Sequence, residues 1–199
     1  MSPSKRAVDL LGGSLLLLLL APALLALAIA VAVPSRGRIL TGGARAGAGG
    51  RPFRMLMFRA VPGTRTGRLL HRHYLDHLPQ LWHVVRGEMS LVGPRPLPPD
   101  RILTGAERAR TAVRPGMTGL WQTGGRSGLP WEEMAVQDLY YVREHWLGLD
   151  LAIMARTLPV LRRGRPARTA AEPGAAVRVP RPSARPPDQA EPAYRAHRD

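Results

Sequence analysis

The stretch from Leu10 to Val33 carries no charged residue and is dominated by Leu and Ala. Drawn as one straight helix it is roughly 36 Å long, against a bilayer hydrocarbon core of about 30 Å. Three arrangements satisfy this. In the first, Lys5 and Arg6 open a cleaved signal peptide with Ala28-Ile29-Ala30 as a cleavage-like site, although the apolar run exceeds the usual length of such a region. The second is a single crossing, and the third a re-entrant hairpin. Pro22 falls near the middle, where a missing N–H and a ring clash kink or break a helix. Each half, Leu10 to Ala21 and Pro22 to Val33, is then about 18 Å long and too short to span alone. Lys5 and Arg6 flank one end; Arg36, Arg38, Arg45 and Arg51 flank the other. Basic residues prefer the cytoplasmic side. A hairpin keeps both flanks there, and a crossing exports one. The expectation is a re-entrant, proline-broken membrane helix on the cytoplasmic face of the inner membrane.

The formal net charge is +15, and Lys5 is the only lysine, so the excess is arginine. Such a balance suits phosphate substrates, nucleic acid or anionic lipid. An arginine excess also follows from coding bias, and by itself selects no partner. With no cysteine, disulfides and thiolate metal sites are excluded.

Gly37 to Gly50 reads as weakly structured. Arg51 to Arg59 reads as a strand with Phe53, Met55 and Met57 on one face. Leu69 to Arg86 reads as helix, with Leu78, Leu81, Trp82 and Val85 at helical spacing and Gly87 as its stop. Ser90 to Pro99 reads as loop, and Arg101 to Ala112 as helix. Pro115 to Gly128 reads as turns with a short strand. Pro130 to His145 reads as a second helix. Leu147 to Leu161 is an apolar amphipathic segment followed by Arg162 and Arg163, fit either for core packing or for an interfacial helix on anionic lipid. From Gly164 the chain is rich in Pro, Arg, Ala and Glu, and too poor in large apolar residues to offset its ordering entropy. The expected class is α+β, organised as a membrane segment (1–36), a cytosolic-face domain (37–165) and a disordered tail (166–199).

Two stretches carry chemistry. In Leu75-Asp76-His77-Leu78-Pro79-Gln80-Leu81-Trp82, Pro79 suits the first turn of a helix and sets Asp76 and His77 at its N-terminal end. Unpaired N–H groups and the helix dipole favour anions there. A carboxylate so placed can ligate Mg²⁺ or attack phosphorus, or it can simply cap the helix. In Gly93-Pro94-Arg95-Pro96, the guanidinium is held in a stiff loop and presents a planar fork suited to phosphate. A purely structural loop arginine is the alternative.

The run Asp76 to Pro96 resembles the signature of the bacterial sugar transferases, the monotopic polyprenyl-phosphate phosphoglycosyl transferases. Their pattern reads approximately L-D-E-L-P-Q-L-W-N-V-L-x-G-E-M-S-L-V-G-P-R-P. Arg114-Pro115-Gly116-Met117-Thr118-Gly119-Leu120-Trp121-Gln122 with Gly125-Arg126-Ser127 resembles K-P-G-I-T-G-L-W-Q…G-R-S. Asp138-Leu139-Tyr140-Tyr141-Val142 resembles D-L-x-Y-V. Lys5-Arg6 with Asp9, and Arg51-Pro52-Phe53 with Phe58-Arg59, also fit. The likeness covers about residues 5 to 165.

This resemblance implies a function. The aspartate matching Asp76 is the family's nucleophile. It takes a phosphosugar from a UDP-sugar, releases UMP and passes the phosphosugar to polyprenyl (undecaprenyl) phosphate, in exopolysaccharide and glycoconjugate assembly. Mg²⁺ is the implied cofactor, with Asp76 as its ligand; Arg59, Arg95 and Arg126 are implied substrate contacts, and anionic lipids are the implied surroundings. A nucleic-acid-binding role explains neither the apolar run nor the ordered signature.

The chain departs from the pattern at telling places. The family pairs its aspartate with a glutamate; here the position is His77. Neutral imidazole is a poor ligand for a hard cation, although it can act as acid or base. The family's K-F-R-[ST]-M reads Met57-Phe58-Arg59-Ala60-Val61, its Q-x-R-V-G-x-x-G is degraded to Gly42-Gly43-Ala44-Arg45-Ala46-Gly47, and the stretch between Arg59 and Asp76 is shortened. These departures define the alternative to an active enzyme: a catalytically impaired membrane scaffold of the same fold.

Overall fold

A computed structural model describes residues 3–101, 105–123 and 131–164. Arg126, and the tail from residue 165, lie outside the described residues. Helix α1 runs from Pro3 to Ala32, 30 residues, and is about 45 Å long at the standard rise. It is the one described helix long and apolar enough to cross a membrane. It continues through Pro22 as a single helix rather than as the two half-helices expected. The proline removes one backbone donor, a loss that helices in apolar surroundings tolerate when neighbouring groups satisfy the freed carbonyl.

One stripe of α1 is committed to the rest of the protein. Lys5, Asp9, Gly13 and Val31 are buried, and Leu17, Leu20, Leu24 and Leu27 pack against the core between them. The spacing of three and four residues puts all eight on one helical face. Leu11, Leu15, Leu18, Leu25 and Ile29 on the remaining surface are exposed. Gly13 permits the close approach: a Cβ there would stand 3.0 Å from a Val84 methyl.

After α1 comes an antiparallel hairpin, β1 (Leu40–Ala46) with β2 (Pro52–Phe58), in register from Leu40 opposite Phe58 to Ala46 opposite Pro52. β1 lies in the stretch expected to be weakly structured. Its Gly, Ala and Thr residues carry no apolar alternation, and the backbone ladder to β2 forms the strand. Gly42 is required here, because a Cβ would sit 2.3 Å from the Met55 carbonyl oxygen. β2 matches the expected strand, with Met55 in the main core and Phe53 and Met57 packed against it.

The expected helix over Leu69 to Arg86 is divided into α2 (Arg65–Arg72), a 3-10 turn (Leu75–His77) and α3 (Gln80–Arg86). The chain breaks at Tyr74, which adopts a left-handed conformation with φ of 58°, and at Pro79, which has no N–H to continue a ladder. α3 stops at Gly87 as expected. β3 (Ser90–Val92) then pairs in parallel with β4 (Gly116–Thr118), which makes a short strand of the start of the expected loop. The remaining helices are α4 (Gly105–Arg110), α5 (Leu120–Thr123), α6 (Trp131–Glu144) and α7 (Leu147–Arg163). The architecture is mixed α and β, as expected.

Two clusters make the core. The larger joins Met55, Leu81, Val84, Met89, Leu91, Val92, Val113, Tyr141 and Ile153, with Leu17 and Leu20 of α1 packed on it. The smaller joins Val31 of α1 to Phe58 and Leu70, with Leu75 and Leu78 beside them. Polar anchors hold the N-terminal end of α1. Lys5 Nζ donates to Asp150 Oδ2 at 2.7 Å and to the Val92 carbonyl at 3.2 Å. The Arg6 guanidinium donates to the Val84 and Val85 carbonyls, both at 2.8 Å, at the C-terminal end of α3. Asp9 accepts from the Ser90 hydroxyl and the Leu91 N–H. Both ends of α1 are therefore bound to the same folded body.

Candidate active site

Asp76 lies in the 3-10 turn, between two apolar residues that seat it. Leu75 and Leu78 pack into the smaller cluster beside Leu24, Leu27 and Val31 of α1. The turn that carries the carboxylate thus shares a cluster with the C-terminal half of the apolar helix. As expected, Asp76 and His77 lie at the N-terminal end of a helix: their turn leads through Pro79 directly into α3, which has 7 residues. Asp76 is 8 % exposed.

His77 Nε2 stands 3.8 Å from Asp76 Oδ1, and its Nδ1 meets the Gln80 amide nitrogen at 2.7 Å. Gln80 is buried at the first position of α3. It went unremarked in the sequence, although its three-residue spacing from His77 is the available signal.

Arg59 follows β2 directly, and β2 packs against the turn that bears Asp76. Its N–H donates to the Ile39 carbonyl and its Nε to the Arg38 carbonyl at 3.2 Å. The contacts that fix Arg95 run to α5 and α6 instead. Its guanidinium lies 5.2 Å from the Trp121 ring centroid and reaches Met134 Sδ at 3.6 Å, and its backbone N–H donates to Asp138 Oδ2 at 3.2 Å. Arg95 also lines a small cavity with Gly47, Pro94, Leu97 and Arg110. Asp138 is paired with Arg110 in the interior. Burial pushes the Asp138 carboxyl above its ordinary value, against the pull of Arg110 and the Arg95 N–H. The structure therefore gathers Asp76 and His77, sets Arg59 at the end of the adjoining strand, and mounts Arg95 on a separate buried ion pair. Neither the Asp138–Arg110 pair nor the Lys5–Asp150 contact was foreseen, because each joins distant segments.

The donor set does not fit a magnesium site made by the protein alone. Among the described residues no three His, Asp or Glu side chains cluster as a metal would need. The neighbour of Asp76 is an imidazole where a second carboxylate would suit a hard cation. No step below runs through a metal.

The sequence profile described as bacterial sugar transferase matches residues 1–164. The chain belongs to that family. Among its relatives is the UDP-glucose:undecaprenyl-phosphate glucose-1-phosphate transferase of Caulobacter vibrioides, 38 % identical over 184 residues, covering 79 % of this chain and 69 % of the relative. The UDP-galactose-lipid carrier transferase of Erwinia amylovora is 35 % identical, over 79 % of this chain and 40 % of its own length. The exopolysaccharide production protein ExoY of Rhizobium meliloti is 31 % identical, over 79 % of this chain and 85 % of that protein. The match thus spans most of some relatives and about two-fifths of others such as the Erwinia protein. The bacterial sugar transferase resemblance read from the motifs is thereby established for this chain as family membership.

Proposed function

We propose that this sugar transferase moves a phosphosugar from a UDP-sugar to polyprenyl phosphate at the cytoplasmic face of the inner membrane. In the first step a carboxylate oxygen of Asp76 attacks the sugar-bearing phosphorus. A new O–P bond forms as the bond to the bridging oxygen breaks, and UMP leaves with that oxygen. In the second step a phosphate oxygen of the lipid carrier attacks the same phosphorus. The aspartyl bond breaks, the carboxylate is regenerated, and the product is polyprenyl diphosphate sugar. Splitting the transfer in two lets a water-soluble donor and a lipid acceptor use one nucleophile in turn.

The observation that carries this reading is the seat of Asp76. Leu75 and Leu78, on either side of it, pack into the cluster that holds Val31 of the helix whose other faces are clothed in exposed Leu and Ile. A nucleophile close to such a helix suits transfer of the phosphosugar to a phosphate carried on a lipid. Binding of both α1 ends to one folded body, with Lys5 and Arg6 near one end and Arg36 and Arg38 beyond the other, supports an in-and-out placement over a full crossing, which requires the continuous helix to bend at Pro22 in the membrane. α7 exposes Leu151, Leu158 and Leu161 and ends in Arg162 and Arg163, which supports contact with anionic lipid. The relatives act, by their names, on undecaprenyl phosphate and UDP-sugars.

The test is UMP release from a panel of UDP-sugars by detergent-purified protein supplied with undecaprenyl phosphate. Release that Asp76→Asn abolishes is the expected result; no release from any donor refutes the proposal. His77 in place of a carboxylate favours one second reading, an impaired scaffold, and turnover created only by His77→Glu would establish it.

A further inference from the structure

The histidine that replaces the family's glutamate is held by a second buried side chain. Gln80 is 2 % exposed, and its amide nitrogen lies 2.7 Å from His77 Nδ1. An amide NH₂ only donates, so the Nδ1 it meets must be an acceptor. The ring proton is then on Nε2, and Nε2 is the atom facing Asp76, 3.8 Å from Oδ1. We propose that Gln80 is a positioning residue that fixes His77 in the Nε2–H form, so that an N–H donor, in place of a second carboxylate, stands beside the nucleophile. A donor in that place, 3.8 Å from the carboxylate, offers a hydrogen bond to a phosphate oxygen arriving next to it. Its consequence for rate rests on the transferase reading above; the proton's position does not.

The chain contains its own reference for the opposite form. His83 Nε2 accepts from the Leu56 N–H at 3.0 Å, and its Nδ1 meets Glu88 Oε2 at 2.5 Å. A carboxylate accepts, so His83 carries its proton on Nδ1. The two histidines, six positions apart, are therefore set in opposite tautomers by an amide and a carboxylate.

Replacing that amide with a carboxylate should reverse His77. The experiment is ¹⁵N–¹H correlation spectroscopy of histidine-labelled protein in detergent micelles, with His77→Asn and His83→Asn used to assign the two rings. Wild type should show His77 with the proton on Nε2 and His83 with it on Nδ1. Gln80→Glu should move the His77 proton to Nδ1 and leave His83 unchanged. In the UMP-release assay the same variant should lower kcat by about 10–100-fold with little change in KM, the usual scale for losing a group that orients a reacting one. Gln80→Met, which keeps the side-chain volume, separates loss of the amide from loss of folding: it should melt like wild type and lower kcat likewise. A wild-type His77 protonated on Nδ1, or a Gln80→Glu protein whose His77 keeps its proton on Nε2, overturns the proposal. If the wild type releases no UMP, the functional reading fails while the tautomer still decides this one.

Discussion

Replacing Lys5 with methionine should be among the most damaging single changes in this chain. Lys5 Nζ is 2.7 Å from Asp150 Oδ2 and 3.9 Å from Asp9 Oδ1, and the Lys5 and Asp150 side chains are only 6 % and 5 % exposed. Methionine fills similar volume but leaves two buried carboxylates without that cation. Removing one partner of a buried ion pair costs about 3–5 kcal/mol, because the remaining charge stays desolvated. At about 2–4 °C per kcal/mol for a chain of this length, the melting temperature should fall by about 6–20 °C. The assay is thermal unfolding in detergent micelles, followed by far-ultraviolet circular dichroism. Neutralising Asp150 as well removes one of the two orphaned charges, so Lys5→Met with Asp150→Asn should melt above Lys5→Met alone. A single variant that melts within about 2 °C of wild type, or a double variant that loses the sum of the two single effects, would refute the reasoning.

Other consequences are smaller but equally definite. Gly42→Ala forces a methyl to 2.3 Å from the Met55 carbonyl oxygen and should cost about 1–3 kcal/mol, read as a lower denaturation midpoint; an unchanged midpoint would mean that β1 is not held against β2 as described. The Tyr141 hydroxyl donates to Asp150 Oδ1 at 2.7 Å and to the Val92 carbonyl at 3.0 Å. Burial first, then Asp150 and Asp9, push its pKa far above the ordinary value of 10.0. The folded state keeps this proton where the unfolded chain has lost it, so stability is full below about pH 10 and falls by about 1.4 kcal/mol per pH unit above it. Tyr141→Phe should be less stable at neutral pH and should lack this alkaline slope; equal slopes in the two proteins would contradict the assignment.

The parts of the fold legible in the sequence are those whose apolar spacing repeats. α1, β2, α6 and α7 all lie where the patterns put them, because burial of one face dictates both the pattern and the element. β1 was illegible: its Gly42 serves a close backbone approach to β2, a need of the partner strand rather than of the segment itself. The break at Tyr74 was hidden too, since a positive φ at a tyrosine has no local sequence signal. At the site, Asp76 and His77 were visible as a motif and stand together. Gln80 sat in that same motif but acquires meaning only once its side chain is seen against Nδ1. The partner of Lys5 lies 145 positions away, a pairing that no local pattern encodes.

Asp76 is proposed as the nucleophile that carries the phosphosugar between donor and lipid acceptor. The direct measurement is peptide mass spectrometry of the detergent-purified protein after incubation with UDP-sugars in the absence of lipid acceptor. A phosphosugar mass on the peptide containing Asp76, absent in Asp76→Asn and discharged on adding polyprenyl phosphate, is the predicted result. UMP release that persists with no adduct on Asp76, or an adduct on a different side chain, would contradict it.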